Sequence, residues 1–92
     1  MNQPHPVSKA GVWFAVKSSN LAEYRYDPKA KHFDVKFKGN PTAYRYLGVE
    51  LETANAFVAS DKEETGVSKG EYFSREIKPK HEFLKLSPEE AI

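Results

Sequence analysis

The sequence predicts an α+β domain, a small antiparallel β-meander of three to four strands with two helices packed on one face. Three observations carry that prediction. From Phe33 to Lys38, the apolar Phe33, Val35 and Phe37 alternate with the charged Asp34, Lys36 and Lys38, the period-two pattern of a strand with one buried face. The strand-like runs before residue 50 are joined by short turn signals, so neighbours in sequence pair as neighbours in an antiparallel sheet. Past Glu50 the period changes, and Leu51, Ala54, Phe57 and Val58 fall on one helical stripe.

Taken in order, residues 1–10 read as a loose leader, with two prolines and little apolar content. Val12 to Lys17 is rich in aromatic and β-branched residues and reads as a first strand, with Trp13 and Ala15 on one face and Phe14 and Val16 on the other. Ser18-Ser19-Asn20 interrupts it. Leu21 to Asp27 is a second strand, carrying Tyr24 and Tyr26 on one face, and Asp27-Pro28 opens the next turn. The Phe33–Lys38 strand ends at Gly39-Asn40-Pro41, and Ala43 to Leu47 pairs back along it with Tyr44 and Tyr46 on one face and Arg45 on the other.

The first helix is expected from about Glu50 to Ser60, with Glu50 and Glu52 in the first turn, where negative charge suits the helix dipole. A polar linker, Asp61 to Gly66, follows. Ser68 and Glu71 have the S-x-x-E spacing of a capping box, and Val67 and Tyr72 the placing of a hydrophobic staple. Phe73 and Ile77, four apart, face the sheet, and Pro79 ends this helix at or before Lys78. Glu82 to Leu86 reads as a short strand or extended segment. Ser87-Pro88-Glu89-Glu90 resembles a further helix start with almost no chain left to continue it. The expected organisation is a leader (1–10), one domain (11–86) and a C-terminal tail (87–92).

Composition bounds the function. The chain has 92 residues and a formal net charge of +1 from 14 basic and 13 acidic residues. That balance argues against a strongly basic nucleic-acid binder and leaves room for a local basic patch. With no cysteine, disulfide scaffolds, zinc ribbons and thiol nucleophiles are excluded. No apolar run is long enough to span a bilayer and the N-terminus lacks a signal-peptide core, so a cytoplasmic protein with no membrane partner is expected. A core this small draws heavily on the six Phe, five Tyr and one Trp.

The order of motifs is similar to one family. Ser18-Ser19, Tyr26-Asp27, the F-D-V-K-F strand from Phe33 to Phe37, the Y-x-Y of Tyr44 and Tyr46 with Val49, and S-x-G-x-Y-F at Ser68, Gly70, Tyr72 and Phe73 with Ile77 downstream resemble the KTSC domain. That domain is named from a segment at the C-terminus of some lysyl-tRNA synthetases and also occurs as small stand-alone bacterial and phage proteins. The resemblance runs from about Val16 to Phe83. Departures are Glu50 where the family usually has proline, Ser74 where asparagine is common, and a longer Asp61–Val67 linker. The resemblance implies no catalytic activity; RNA binding has been suggested from the synthetase association.

The candidate contacts follow. Tyr44 and Tyr46 can stack on unpaired bases, or can lie on the core face under the helices. In the second case Lys36, Lys38 and Arg45 share the opposite, open face and could meet phosphates, against a field weakened by Asp34 and Glu23. After the second helix, Arg75, Lys78, Lys80, His81 and Lys85 form a basic segment, which with Lys69 is a candidate anion-contacting patch or a solvated charged face. His5, His32 and His81 show no metal-ligand spacing, and no nucleophile elbow or triad spacing is present. The expected function is a non-enzymatic module, free of cofactors, binding RNA or single-stranded nucleic acid through Lys36, Lys38, Tyr44, Arg45, Tyr46, Lys69, Arg75, Lys78 and Lys80. The alternative is a protein-interaction module, such as a phage or accessory protein docking on a host factor, or one that self-associates through the first strand.

Overall fold

The computed structural model describes residues 12–92, so the expected leader lies outside the described residues. Five antiparallel strands follow in sequence order across one sheet: β1 (Phe14–Ala15), β2 (Leu21–Asp27), β3 (His32–Phe37), β4 (Ala43–Tyr46) and β5 (Phe83–Lys85). The α+β class is as predicted, with one strand more. The extra strand is the Glu82–Leu86 segment, whose Phe83, Leu84 and Lys85 pair with Tyr46, Arg45 and Tyr44. β1 is shorter than its apolar run, because the chain bends into the Ser18–Asn20 turn after Val16 donates to Ala22 O at 2.9 Å. The register of β2 against β3 shifts between Leu21 and Glu23, a bulge beside that same turn.

Alternation places Tyr24, Tyr26, Phe33, Val35 and Tyr46 on one sheet face, all buried. Both helical segments cover this face. Helix α1 (Leu51–Ala59) contributes Ala54 and Phe57, each fully buried. Leu51, expected on its apolar stripe, is 45% exposed, since it occupies the first helical position outside the Ala54–Phe57 contact. Phe33 stands at the centre, with ring centroids 5.0 Å from Phe57 and 5.7 Å from Tyr24. The Tyr26 hydroxyl donates to Val49 O at 2.6 Å, tying β2 to the chain entering α1.

The second helix starts as its capping box predicts. Glu71 N–H donates to Ser68 Oγ (3.1 Å), and Ser68 N–H donates to the Glu71 carboxylate (3.0 Å). Its course departs from a plain α-helix to Lys78. One α turn, α2 (Lys69–Tyr72), widens into a π turn over Phe73–Ile77, where Lys78 N–H reaches back five residues to Phe73 O at 2.9 Å. Phe73 and Ile77 are both buried by this arrangement, and Pro79 stops it. Gly70 is buried against the Ser18–Asn20 turn. A β-carbon there would lie 2.7 Å from Asn20 Oδ1 and 2.9 Å from Ser18 Oγ. Ser18 Oγ also accepts from Asn20 and Leu21 N–H, so it is held in place.

The opposite sheet face was expected to be open. Its centre is covered. Asp34 is 2% exposed and accepts from two arginines, Arg25 Nε (2.8 Å) and Arg45 Nε and Nη2 (2.9 and 3.0 Å). Arg25 uses its other nitrogens on main-chain oxygens of Glu90 and Ile92. Trp13 lies beneath the guanidinium of Arg25 and the ammonium of Lys36, each 4.3 Å from its ring, and donates Nε1–H to Ala91 O at 2.8 Å. Residues 87–92 therefore return over the sheet. The helix start seen at Ser87 makes one capped turn, with Ser87 N–H on the Glu90 carboxylate and Glu90 N–H on Ser87 Oγ.

Three outcomes follow from these contacts. Gly70→Ala should destabilise the domain by about 1–3 kcal/mol, because the Ser18–Asn20 turn cannot yield freely; urea unfolding measures it. Asp34→Ala leaves two guanidiniums in a closed site and should cost about 3–5 kcal/mol or prevent folding. Hydrogen bonds from Ser68 N–H and then Lys62 hold the Glu71 carboxyl below its usual range. Its contribution is therefore present above the ordinary glutamate value of about 4.3 and is lost as pH falls through the lower folded value. Glu71→Gln, which can still accept at the cap, should flatten that part of the acid limb in thermal melts at pH 2 to 6 (roughly the carboxylate range).

Candidate nucleic-acid interface

The nine residues expected to contact nucleic acid do not form one surface. Lys36 and Arg45 belong to the covered face. Lys36 pairs with Glu23 at 3.4 Å and lies over Trp13, and Arg45 is held by Asp34. That hydrogen bond raises the Arg45 pKa above its ordinary value. Lys69 bends back to donate to Ser60 O at 2.7 Å, beside Lys17, Asp61, Lys62 and Glu63. Arg75 lies on the outer side of the helical layer, along a shallow groove with Tyr72 and Glu76. Lys80 is bound to Glu76 at 2.7 Å, four residues back on the same segment.

Tyr44, Tyr46 and Lys78 do come together. They line a cleft of about 450 Å³ with Phe37, Asn40 and Phe83, between the β4–β5 end of the sheet and the end of the π turn. Strand alternation turns Tyr44 and Tyr46 toward the helical side, and the register sets Phe83 beside Tyr46 and Lys85 beside Tyr44. Both tyrosines lie on the core face, and they differ in burial. Tyr46 is buried (3% exposed), its ring edge-on to Phe73 at 5.2 Å. Tyr44 is half-buried and forms a wall of the cleft, with centroids 5.6 Å from Phe37 and 5.7 Å from Phe83. Phe83 is 50% exposed.

The cleft's polar groups are few. Asn40 accepts from Thr42 N–H at 2.9 Å, which aims its amide nitrogen at the Tyr44 hydroxyl, 3.4 Å away. Burial raises the Tyr46 phenol above its ordinary pKa, so it stays neutral at physiological pH. Lys78 stands at the cleft, Lys85 flanks Tyr44, and Lys38 follows Phe37 out of β3; all three are exposed. Among the described residues no carboxylate lies within 4.0 Å of any of the three. The cleft thus offers aromatic faces beside the Lys78 ammonium, with no acid in its lining.

Phe83 was absent from the expected contacts, and Lys85 had entered only as part of the basic segment after the second helix. Their signal was readable. Once Glu82 to Leu86 is taken as a strand beside Ala43–Leu47, alternation sets Phe83 and Lys85 on the face of Tyr44 and Tyr46. No group of three or more metal-ligating side chains occurs among the described residues, and none of their helices is long and apolar enough to cross a membrane.

Comparison with known proteins agrees with the motif reading. No curated protein sequence matches the chain. A crystal structure of a KTSC domain protein from Yersinia pestis is similar, with a TM-score of 0.69 and 28% sequence identity over 83% of this chain and 97% of that one. The model of the KTSC domain matches residues 17–83, which spans β2 to the start of β5 and includes both helical segments. The chain belongs to the KTSC domain family.

Proposed function

We propose that this domain is a non-enzymatic module that binds single-stranded nucleic acid, RNA in the first place, in the cleft between β4–β5 and the π turn. The observation that carries the reading is the pairing of two aromatic walls, the half-buried Tyr44 and the exposed Phe83, with the Lys78 ammonium, which is unpaired among the described residues, at the same cleft. Every base has a π-face, so aromatic platforms bind single strands with little sequence preference, and lysines beside them meet the phosphates. An unstacked base would lie against Tyr44 and Phe83, with the backbone running past Lys78 and Lys85. The cleft's lining of phenols, an amide and an amine suits contact with bases and phosphates better than proton transfer, since its most buried phenol is held neutral.

A role for the other sheet face is less favoured. Its arginines are already bound to Asp34 and to main-chain oxygens, so meeting phosphates there would require breaking buried contacts.

The test is fluorescence anisotropy with labelled poly-U and poly-dT oligonucleotides across a salt series. Affinity should fall by about 0.7 log units per decade of salt for each phosphate contact. Lys78→Ala should lower that slope by one contact's worth, about 0.7. Phe83→Ala, at an exposed position, should weaken binding by about 1–3 kcal/mol while leaving the fold intact. Lys80→Ala and Arg45→Ala should change affinity little, the latter read only after a check on stability. Absence of binding at low salt would sink the reading. Binding that survives Lys78→Ala and Phe83→Ala but fails with Lys36→Ala would move the interface to the other face.

A further inference from the structure

Among the described residues the sheet has two outer edges, β1 and β5, and they differ. β1 contributes two residues, Phe14–Ala15. β5 contributes three, all exposed, and two of them are large and apolar: Phe83 at 50% and Leu84 at 53%. The ladder to β4 determines which main-chain groups remain open. Leu86 N–H donates to Ala43 O and Leu47 N–H to Glu82 O, each at 2.9 Å, and Leu84 stands opposite Arg45. Hydrogen-bonded positions alternate along an antiparallel pair, so Glu82, Leu84 and Leu86 bond to β4. Phe83 and Lys85 direct their N–H and C=O groups outward, away from β4. Native sheets usually blunt such an edge with charge or proline, and here Lys85 is the single charged residue of the strand.

We propose that β5 is a self-association edge, where two copies of this domain pair antiparallel through Phe83–Lys85 about a two-fold axis at Leu84. The occupant follows from the strand's own symmetry. In an isologous contact, residue i meets j and j meets i. With the axis at Leu84, Phe83 of each copy stands opposite Lys85 of the other, and these are the residues whose main-chain groups are open. They form the hydrogen-bonded pairs, giving on the order of four inter-copy bonds. On the cleft side each Phe83 ring meets the other copy's Lys85, a cation–π pair made twice. On the opposite side the two Leu84 side chains meet on the axis and cover each other. Moving the axis one residue along, to Lys85, would set two ammonium groups directly opposite each other, which disfavours that register against the one centred on Leu84. The pairing would also bring two Tyr44–Phe83 clefts to one seam of a continuous sheet.

A strand pair this short falls well below the roughly 1,200 Å² of a stable interface, so the dimer is weak and concentration-dependent. The proposal does not rest on the nucleic-acid reading, and nuclease-treated protein tests it alone. Sedimentation equilibrium from about 10 μM to about 1 mM covers weak association. The weight-average mass should climb from the 10.5 kDa of one chain toward twice that value. Leu84→Lys sets two ammonium groups on the axis and should return the protein to a monomer with an unchanged circular dichroism spectrum. Lys85→Pro removes an outward N–H and spares the bonds to β4, and should do the same. Should Lys85→Pro unfold the domain, Leu84→Lys alone decides. A monomer across the whole range overturns the proposal, as does association that Leu84→Lys retains or that Phe14→Lys, on the opposite edge, abolishes instead.

Discussion

The packing of Phe33 is the contact on which the rest of this domain depends. Its ring stacks on Tyr24 of the neighbouring strand and meets Phe57 of α1 and Phe73 of the π turn, so one side chain joins the sheet to both helical segments. In a chain of 92 residues few such junctions are available. The adjacent residue, Asp34, has the corresponding role on the other face, where it gathers Arg25 and Arg45 under the returning 87–92 segment. Two consecutive residues of β3 thus anchor the two layers above and below the sheet. Strand alternation is the reason they can: successive side chains point to opposite faces.

This division decides which charges are already paired inside the domain. Charge on the Asp34 face is consumed internally, because Arg25 and Arg45 share a buried carboxylate and Lys36 pairs with Glu23. The helical side closes over most of its own face but stops short of the β4–β5 end, where Pro79 ends the π turn and leaves Lys78 beside uncovered aromatic rings. The cleft is therefore a consequence of how the second helix terminates. The acid nearest in sequence to Lys78, Glu76, is engaged with Lys80 instead.

Much of the fold was legible in the sequence because its signals are local. The alternation of Phe33 to Lys38, the S-x-x-E cap at Ser68 and the stop at Pro79 each act within a few residues, and each stands where the pattern places it. Less legible were features that need two distant segments at once. The covering of Asp34 joins β2, β3, β4 and residues 90–92, and no local pattern announces that a polar strand face will be buried. The widened π turn is likewise a response to packing, which draws Phe73 and Ile77 into the same core. The candidate contacts divided along the same line. Lysines and arginines are identifiable as cations from sequence, but whether each is already paired depends on partners from other strands.

The residues by which the chain resembles its family help to separate fold from function. Ser18 receives the turn N–H groups, Gly70 admits that turn, Tyr26 ties to Val49, and Asp27 accepts from Lys29 and Ala30 N–H. Phe33 and Phe73 fill the core, and Ser68 caps a helix. Each of these residues has a structural task inside the domain. Within that motif set Tyr44 and Phe37 differ, since both are half-buried and line the cleft, and among the described residues the Tyr44 hydroxyl meets the side chain of Asn40. The neighbouring Lys78 and Phe83 follow the last motif residue, Ile77, within the matched residues 17–83. Most of the signature is thus spent on packing, and on the proposed binding reading it is the side chains at positions 78, 83 and 85, carried by that scaffold, that would set affinity.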